Sequence, residues 1–249
     1  MLKSRSTQIV AVIGLIGVLL AAALVFAFLR PPEEANAPIS SIPIEYTEDS
    51  AEAVDDPTLE SQEDAGSANR GVVTFEIVQA ESEVRFTLGE VLRGQDNIVV
   101  GITNQVAGQI LIDFGDPSAS QVGTILVNAR TLATDSNMRD RAIKNRVLET
   151  NTYEFITFTP TSINGWPEVA LIGETIELEI VGDLTIKDVT FEVTFIFSVV
   201  AVSETHLEGN GSTIIRYADY GIIIPDVPVV ASVDDEVLLV IEFVAIAVD

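Results

Sequence analysis

The sequence predicts an all-β domain, a sandwich or closed barrel, carried behind one apolar run and an acidic spacer. Three observations support this reading. Residues 9–29 form an apolar run of 21 residues without a charge. From Val72 onward, apolar and polar residues alternate with the period of two that places successive side chains on opposite faces of a strand. Turn-forming clusters interrupt that alternation at short intervals, the pattern of many short antiparallel strands.

The apolar run comes first. Its only weak helix formers are Gly14 and Gly17, and a helix of this length reaches roughly 30 Å, the thickness of a bilayer's hydrocarbon core. Lys3 and Arg5 precede it, while Glu33 and Glu34 follow soon after Arg30. The positive-inside bias therefore places the N-terminus in the cytoplasm and everything after residue 30 outside, in the periplasm or at the cell surface. A cleaved signal peptide is the rival, with Ala35-Asn36-Ala37 as a small-x-small site and a secreted product. Pro38 stands where cleavage would occur, and the run exceeds the usual signal core of about 7–15 residues, so an uncleaved single-pass anchor is the expectation.

Residues 31–70 hold 11 acids and one base among Pro, Ser and Ala, with almost no bulky apolar residues. That composition predicts a disordered tether with an end-to-end distance of roughly 35 Å. The expected organisation is thus 1–30 as cytoplasmic N-terminus and transmembrane anchor, 31–70 as acidic linker, and 71–249 as a β-domain.

Charge and composition narrow the function. The chain carries 38 acids against 13 bases, a formal net charge of -25. Such a body repels phosphate backbones, so nucleic acid is not an expected partner and membrane attachment falls to residues 9–29. The absence of cysteine removes disulfides, thiolate metal sites and cysteine nucleophiles, and the single histidine, His206, removes a multi-histidine zinc site. No G-x-S-x-G segment accompanies that histidine, and neither Asp113 with Asp116 nor Asp234-Asp235-Glu236 has the spacing of an EF-hand loop. No catalytic residue, metal or cofactor is expected, and the chain reads as a non-enzyme.

Within the domain, Val84, Phe86 and Leu88 share one face against Glu83, Arg85 and Thr87; Ile110, Ile112 and Phe114 share another against Gln109 and Asp113. Phe191, Val193, Phe195 and Phe197 oppose Glu192, Thr194 and Ser198, and Val237, Leu239, Ile241 and Phe243 form a last face. Turns are expected at Gly94 to Asn97, Gly115-Asp116-Pro117, Asn164 to Pro167 and Gly209-Asn210-Gly211, with His206 in a solvated loop just before the last. One stretch breaks the alternation. Thr134-Asp135-Ser136 supplies capping oxygens ahead of Asn137 to Leu148, whose apolar residues recur at helical spacing and which holds Arg139, Arg141, Lys144 and Arg146.

Four motifs in order resemble the YceI-like family of lipid-binding, lipocalin-like proteins. They are Asn137 to Asn145 leading to Tyr153-Glu154-Phe155-Ile156-Thr157-Phe158, Gly182-Asp183-Leu184-Thr185-Ile186-Lys187-Asp188-Val189-Thr190, Arg216-Tyr217-Ala218-Asp219-Tyr220-Gly221, and Val233-Asp234-Asp235-Glu236-Val237. Gly101 and Gly108 match an early glycine pair, so the resemblance spans about residues 71–249. The chain departs from the family pattern with Ala142 for histidine, Glu154 for proline and Asp188 for glycine. The resemblance implies an extended antiparallel barrel with one short helix, extracytoplasmic, holding a long isoprenoid or similar lipid in an apolar lumen.

On that reading Val84, Phe86, Leu88, Ile110, Ile112, Phe114, Phe191, Val193, Phe195 and Phe197 supply lumen or core, with Phe155 and Phe158 near the helix-side opening. Arg139, Arg141 and Arg146 are the candidates for meeting a lipid headgroup. Pairing into a homodimer through a sheet edge is left open. The alternative function is an anchored structural or adhesive β-domain with a filled core and no lipid.

Overall fold

The computed structural model describes residues 31–36, 38–44, 71–169, 172–225 and 229–248. Thirteen strands form one sheet: β1 (Val72–Ile77), β2 (Glu83–Leu92), β3 (Gln95–Thr103), β4 (Val106–Ala107), β5 (Gln109–Asp113), β6 (Gln121–Val122), β7 (Ile125–Asn128), β8 (Phe155–Asn164), β9 (Thr175–Ile186), β10 (Val189–Ser203), β11 (His206–Arg216), β12 (Val230–Val233) and β13 (Glu236–Val248). Every pairing is antiparallel, and β8 to β11 follow one another as neighbours before β13 joins β11.

The sheet curls strongly around β13. β13 pairs with β1 through Ala245–Val248 and with β2 through Leu238–Glu242, so β1 and β2 act as two halves of one bent strand. β5 carries β1 on one edge and β6 on the other; β6 runs through Gly123 and Thr124 into β7, whose other edge carries β8. The result is a lipocalin-like, barrel-like all-β fold. Its helix end gathers the β2–β3 hairpin, the segment between β7 and β8, the β9–β10 turn and the β11–β12 loop. The far end gathers the β5–β6, β8–β9 and β10–β11 connections.

The only α-helix among the described residues is α1 (Asn137–Ala142), which continues as a π-turn over Ile143–Val147. The expected capping holds, since the Ser136 hydroxyl accepts from the Arg139 N–H. Asp140 completes it by accepting from both the backbone N–H and the hydroxyl of Thr134 at 2.7 Å.

Two expected turns fall elsewhere. The β2–β3 turn lies at Arg93 and Gly94, both with positive φ, so Asp96 and Asn97 already belong to β3. Gly209-Asn210-Gly211 is not a turn but the middle of β11, and His206 begins that strand instead of lying in a loop. The glycines are there for space. Gly209 sits opposite Phe243 and Gly211 opposite Phe197, and a Cβ on either would enter the facing ring.

The described part of the expected tether has no helix or strand, as its composition implies, yet it is not loose. Residues 31–36 and 38–44 lie along the outer wall, where Ile39 is buried. The Glu33 N–H donates to Asn151, the Asn36 N–H to Glu154, the Ile44 N–H to Gln109, and Gln79 donates to the Ile39 carbonyl. The Ser41 hydroxyl donates to Glu76 at 2.5 Å. For these residues the docked strap replaces the expected free coil, because side chains on β1, β5 and the segment before β8 satisfy a backbone that would otherwise be left to water. No helix among the described residues is long and apolar enough to cross a membrane. The expected anchor at residues 9–29 lies outside them, as do residues 45–70.

Candidate functional site

Alternation along the long strands turns one face of the sheet inward, and that face is almost wholly apolar. Leu178, Ile180, Leu184 and Ile186 from β9 meet Phe195 and Phe197 from β10, and Ile241, Phe243 and Ala245 from β13 complete the wall. Two cavities lie among their side chains in the described residues. The one toward the far end has a volume of about 80 Å³ and is bounded by Phe114, Pro117, Trp166 and Pro167 as well as strand residues. The one toward the helix end has a volume of about 100 Å³ and reaches Val84, Phe86, Leu132 and Leu184. Ile125, Phe158, Phe197 and Ile241 line both, so the two cavities adjoin and share a wall, the waist.

Aromatic rings build the waist. Phe158 packs on Phe195 with ring centres 4.9 Å apart, Phe195 on Phe197 at 5.8 Å, and Phe197 on Phe243 at 6.4 Å. These tilted and edge arrangements suit aromatic quadrupoles and leave no polar group in the waist. Glycines give the rings room. Phe86 lies over Gly101, Phe158 over Gly182, Phe197 over Gly211 and Phe243 over Gly209. Each ring therefore packs close over a glycine, the cross-strand rescue of glycine by an aromatic neighbour, while Phe158 and Phe197 still narrow the space between the cavities.

At the helix end the lining becomes polar. Glu90 continues the inward face of Val84, Phe86 and Leu88 and is buried, with Asn97 donating to it at 2.9 Å. Arg139 from α1 reaches across to the same carboxylate at 3.0 Å, while its other guanidinium nitrogen pairs with Asp135. An ion pair thus holds the helix at the mouth. Burial is the larger influence on Lys144 and lowers its pKa, with Asp140 opposing it.

A profile of the YceI-like domain matches residues 75–245. The chain belongs to the YceI-like family. Two solved structures share the fold of this YceI-like domain. A polyisoprenoid binding domain from Saccharophagus degradans, described as implicated in plant cell wall breakdown, is 14% identical over 71% of this chain and 99% of its own, with a TM-score of 0.56. BcnA from Burkholderia cenocepacia is 18% identical over 68% of this chain and 98% of its own, with a TM-score of 0.53. No curated protein sequence matches the chain.

The structure distributes the expected site residues of the YceI-like domain unevenly. Ile110, Ile112, Phe114, Phe158 and Phe197 line the far chamber, and Val84, Phe86, Phe158, Phe195 and Phe197 line the helix-side chamber. Leu88 and Val193 pack against the same core. Phe191 stands at the rim, 46% exposed, with its ring edge-on to Tyr220 at 5.4 Å. Phe155 corrects the expectation: it points outward and is 39% exposed, because the inward residues of β8 are Ile156 and Phe158. Of the basic candidates, Arg139 is committed to Glu90 and Asp135, whereas Arg141 and Arg146 are exposed.

Two features had no local signal in the sequence. Trp166 and Pro167, assigned to a turn, line the far chamber. Arg130, nearly buried, pairs with Glu154 at 3.1 Å and Glu33 at 3.2 Å and donates to the Thr150 carbonyl, while Asn128 donates to Glu154 at 3.0 Å. Glu154 is one of the departures from the family pattern, and here it joins strap and barrel.

Proposed function

We propose that this YceI-like protein is a non-catalytic binding protein that takes a long apolar lipid chain, isoprenoid or similar, into the channel of an extended closed barrel. Residues 9–29 tether it to the membrane, with the domain on the extracytoplasmic side. The observation that carries this reading is the pair of apolar chambers meeting at a ring-lined waist. The polyisoprenoid-binding description of one structural relative supports the choice of ligand. Burying about ten methylene groups contributes roughly 8 kcal/mol gross against association costs of roughly 4 kcal/mol or more, so apolar contact suffices without a polar recognition motif.

Chamber size sets a condition. A cavity of roughly 150 Å³ takes up a benzene, so each chamber as it stands takes a short alkyl segment. A longer chain has to swing Phe158 and Phe197 aside and join the two. The small volumes are also what favours the alternative, an anchored adhesive domain with a filled core.

The strap supports an uncleaved anchor, since Glu33 and Asn36 bond to Arg130, Asn151 and Glu154 from positions upstream of the candidate cleavage point after Ala37. The test is to purify the full chain in detergent, extract it with organic solvent and examine the extract by mass spectrometry. A co-purified long-chain apolar lipid is expected. An empty protein that also fails to take up a polyprenol would leave the adhesive reading in its place.

A further inference from the structure

We propose that the helix end of the barrel is a membrane-docking surface, pressed against the bilayer that holds residues 9–29. The inference rests on the anchor reading above and adds an orientation to it. Its starting point is the strap. The apolar run ends at Leu29, and the chain is fixed by Glu33, whose N–H donates to Asn151 and whose carboxylate meets Arg130. The residues between them span at most roughly 14 Å when fully extended. Both partners belong to the segment between β7 and β8, so the effective leash is about four residues instead of forty and leads to one end of the barrel.

The charge distribution agrees. Of the nine bases between residues 71 and 249, all except Arg85 lie at that end: Arg93 in the β2–β3 hairpin, Arg130 to Arg146 before β8, Lys187 in the β9–β10 turn and Arg216 at the close of β11. The far end carries Asp113, Asp116, Glu168, Glu174 and Glu204 and no base among its described residues. The helix end also carries acids, among them Asp96, Asp188, Asp219 and Asp234, so its charge is mixed, whereas the described far end offers anionic headgroups no Lys or Arg at all. Apolar side chains at the helix end fit the same partner. Met138 on α1 is 76% exposed and Ile223 after β11 is 80% exposed. Phe191 marks the rim of the channel there, so a docked barrel offers its helix-side chamber directly to the lipid phase.

The absence of cysteine makes the test clean, because a single introduced cysteine takes the only label. Full chain carrying Met138→Cys, Ile223→Cys or Ala119→Cys is labelled with a fluorophore and reconstituted into phosphatidylcholine and phosphatidylglycerol vesicles containing a headgroup nitroxide lipid. Ala119 lies in the β5–β6 connection, and strands of up to 15 residues separate the ends by roughly 35 Å after tilt. The expected result is strong quenching at positions 138 and 223 and none at 119. Equal or reversed quenching in chains that float with the vesicles overturns the docking surface while leaving the anchor intact. Failure to float overturns the anchor and this inference together.

A second variant isolates the strap. Glu33→Ala with Asn36→Ala and Asn151→Ala removes the side-chain bonds that fix the start of the strap and leaves the Arg130–Glu154 pair of the barrel in place. Flotation is expected to persist while quenching at positions 138 and 223 falls toward the value at 119. Undiminished quenching would show that the strap does not hold the orientation.

Discussion

The inside and the outside of this barrel are held by opposite kinds of force. Inside, Phe158, Phe195, Phe197 and Phe243 pack ring on ring without a hydrogen bond among them. Outside, Arg130, Glu154 and Asn128 form a nearly buried polar latch, which the exposed Asn36 of the strap joins through Glu154. The lesson is a division of labour. The interior sets no donor or acceptor that a neighbour has to match, whereas removing one member of the latch leaves its partner unpaired.

Breaking the latch is the largest effect to expect. Arg130→Ala leaves Glu154 nearly buried without its cation, a change that costs about 3–5 kcal/mol. Urea unfolding should show a correspondingly lower midpoint with an unchanged slope. A shift worth under about 1 kcal/mol would mean that water already screens the pair. Arg130→Ala combined with Glu154→Leu should recover much of the loss.

Crowding the interior comes next. Gly211→Val drives a side chain into the space of Phe197, and overpacking of this kind costs about 1–3 kcal/mol. The displaced ring should also obstruct the waist and reduce uptake of a long-chain lipid. Pairing it with Phe197→Leu should restore both stability and uptake; restored stability with uptake still lost would separate the waist from binding.

Tyr220 gives a smaller effect with a definite pH dependence. Its hydroxyl is buried without a hydrogen-bond partner, and burial, with Asp219 adding to it, pushes the phenol up to about 12. The folded state therefore favours the neutral phenol. Its contribution is fully present below the ordinary value of 10.0 and is lost as pH rises through about 12. Tyr220→Phe should be neutral or stabilising by about 1 kcal/mol at pH 7 and should lack that alkaline component in a pH series of melting temperatures. A marked loss of lipid affinity in the variant would instead place the hydroxyl on the ligand.

The smallest effect is at the exposed helix surface. Arg141→Ala should change stability by no more than about 0.5 kcal/mol. If α1 meets a headgroup, affinity for a phosphorylated isoprenoid should fall relative to the corresponding alcohol. Equal affinities would confine recognition to the chain.

The sequence showed the parts of the fold that are periodic. Alternation placed Val84, Phe86, Ile110, Ile112, Phe195 and Phe197 inward, and the Ser136 cap with its basic helix stood where the structure has it. What alternation could not show was why a residue departs from it. Gly209 and Gly211 read as a turn because glycine usually serves φ, while here it serves the rings opposite. Phe155 reads as a neighbour of Phe158 near the opening although residues three apart face opposite sides of a regular strand, and only the register of β8 decides which of the two is inward. The latch was illegible because Glu33, Arg130 and Glu154 come from separate parts of the chain and carry no shared motif.

Trp166 offers the most direct test of the channel, since it is the only tryptophan in the chain and lines the far chamber. Titrating the full chain with a long-chain lipid brominated near its terminus, and following Trp166 emission, should give saturable quenching that Gly211→Val weakens. Emission that stays unchanged through the titration would mean that no apolar chain enters the barrel.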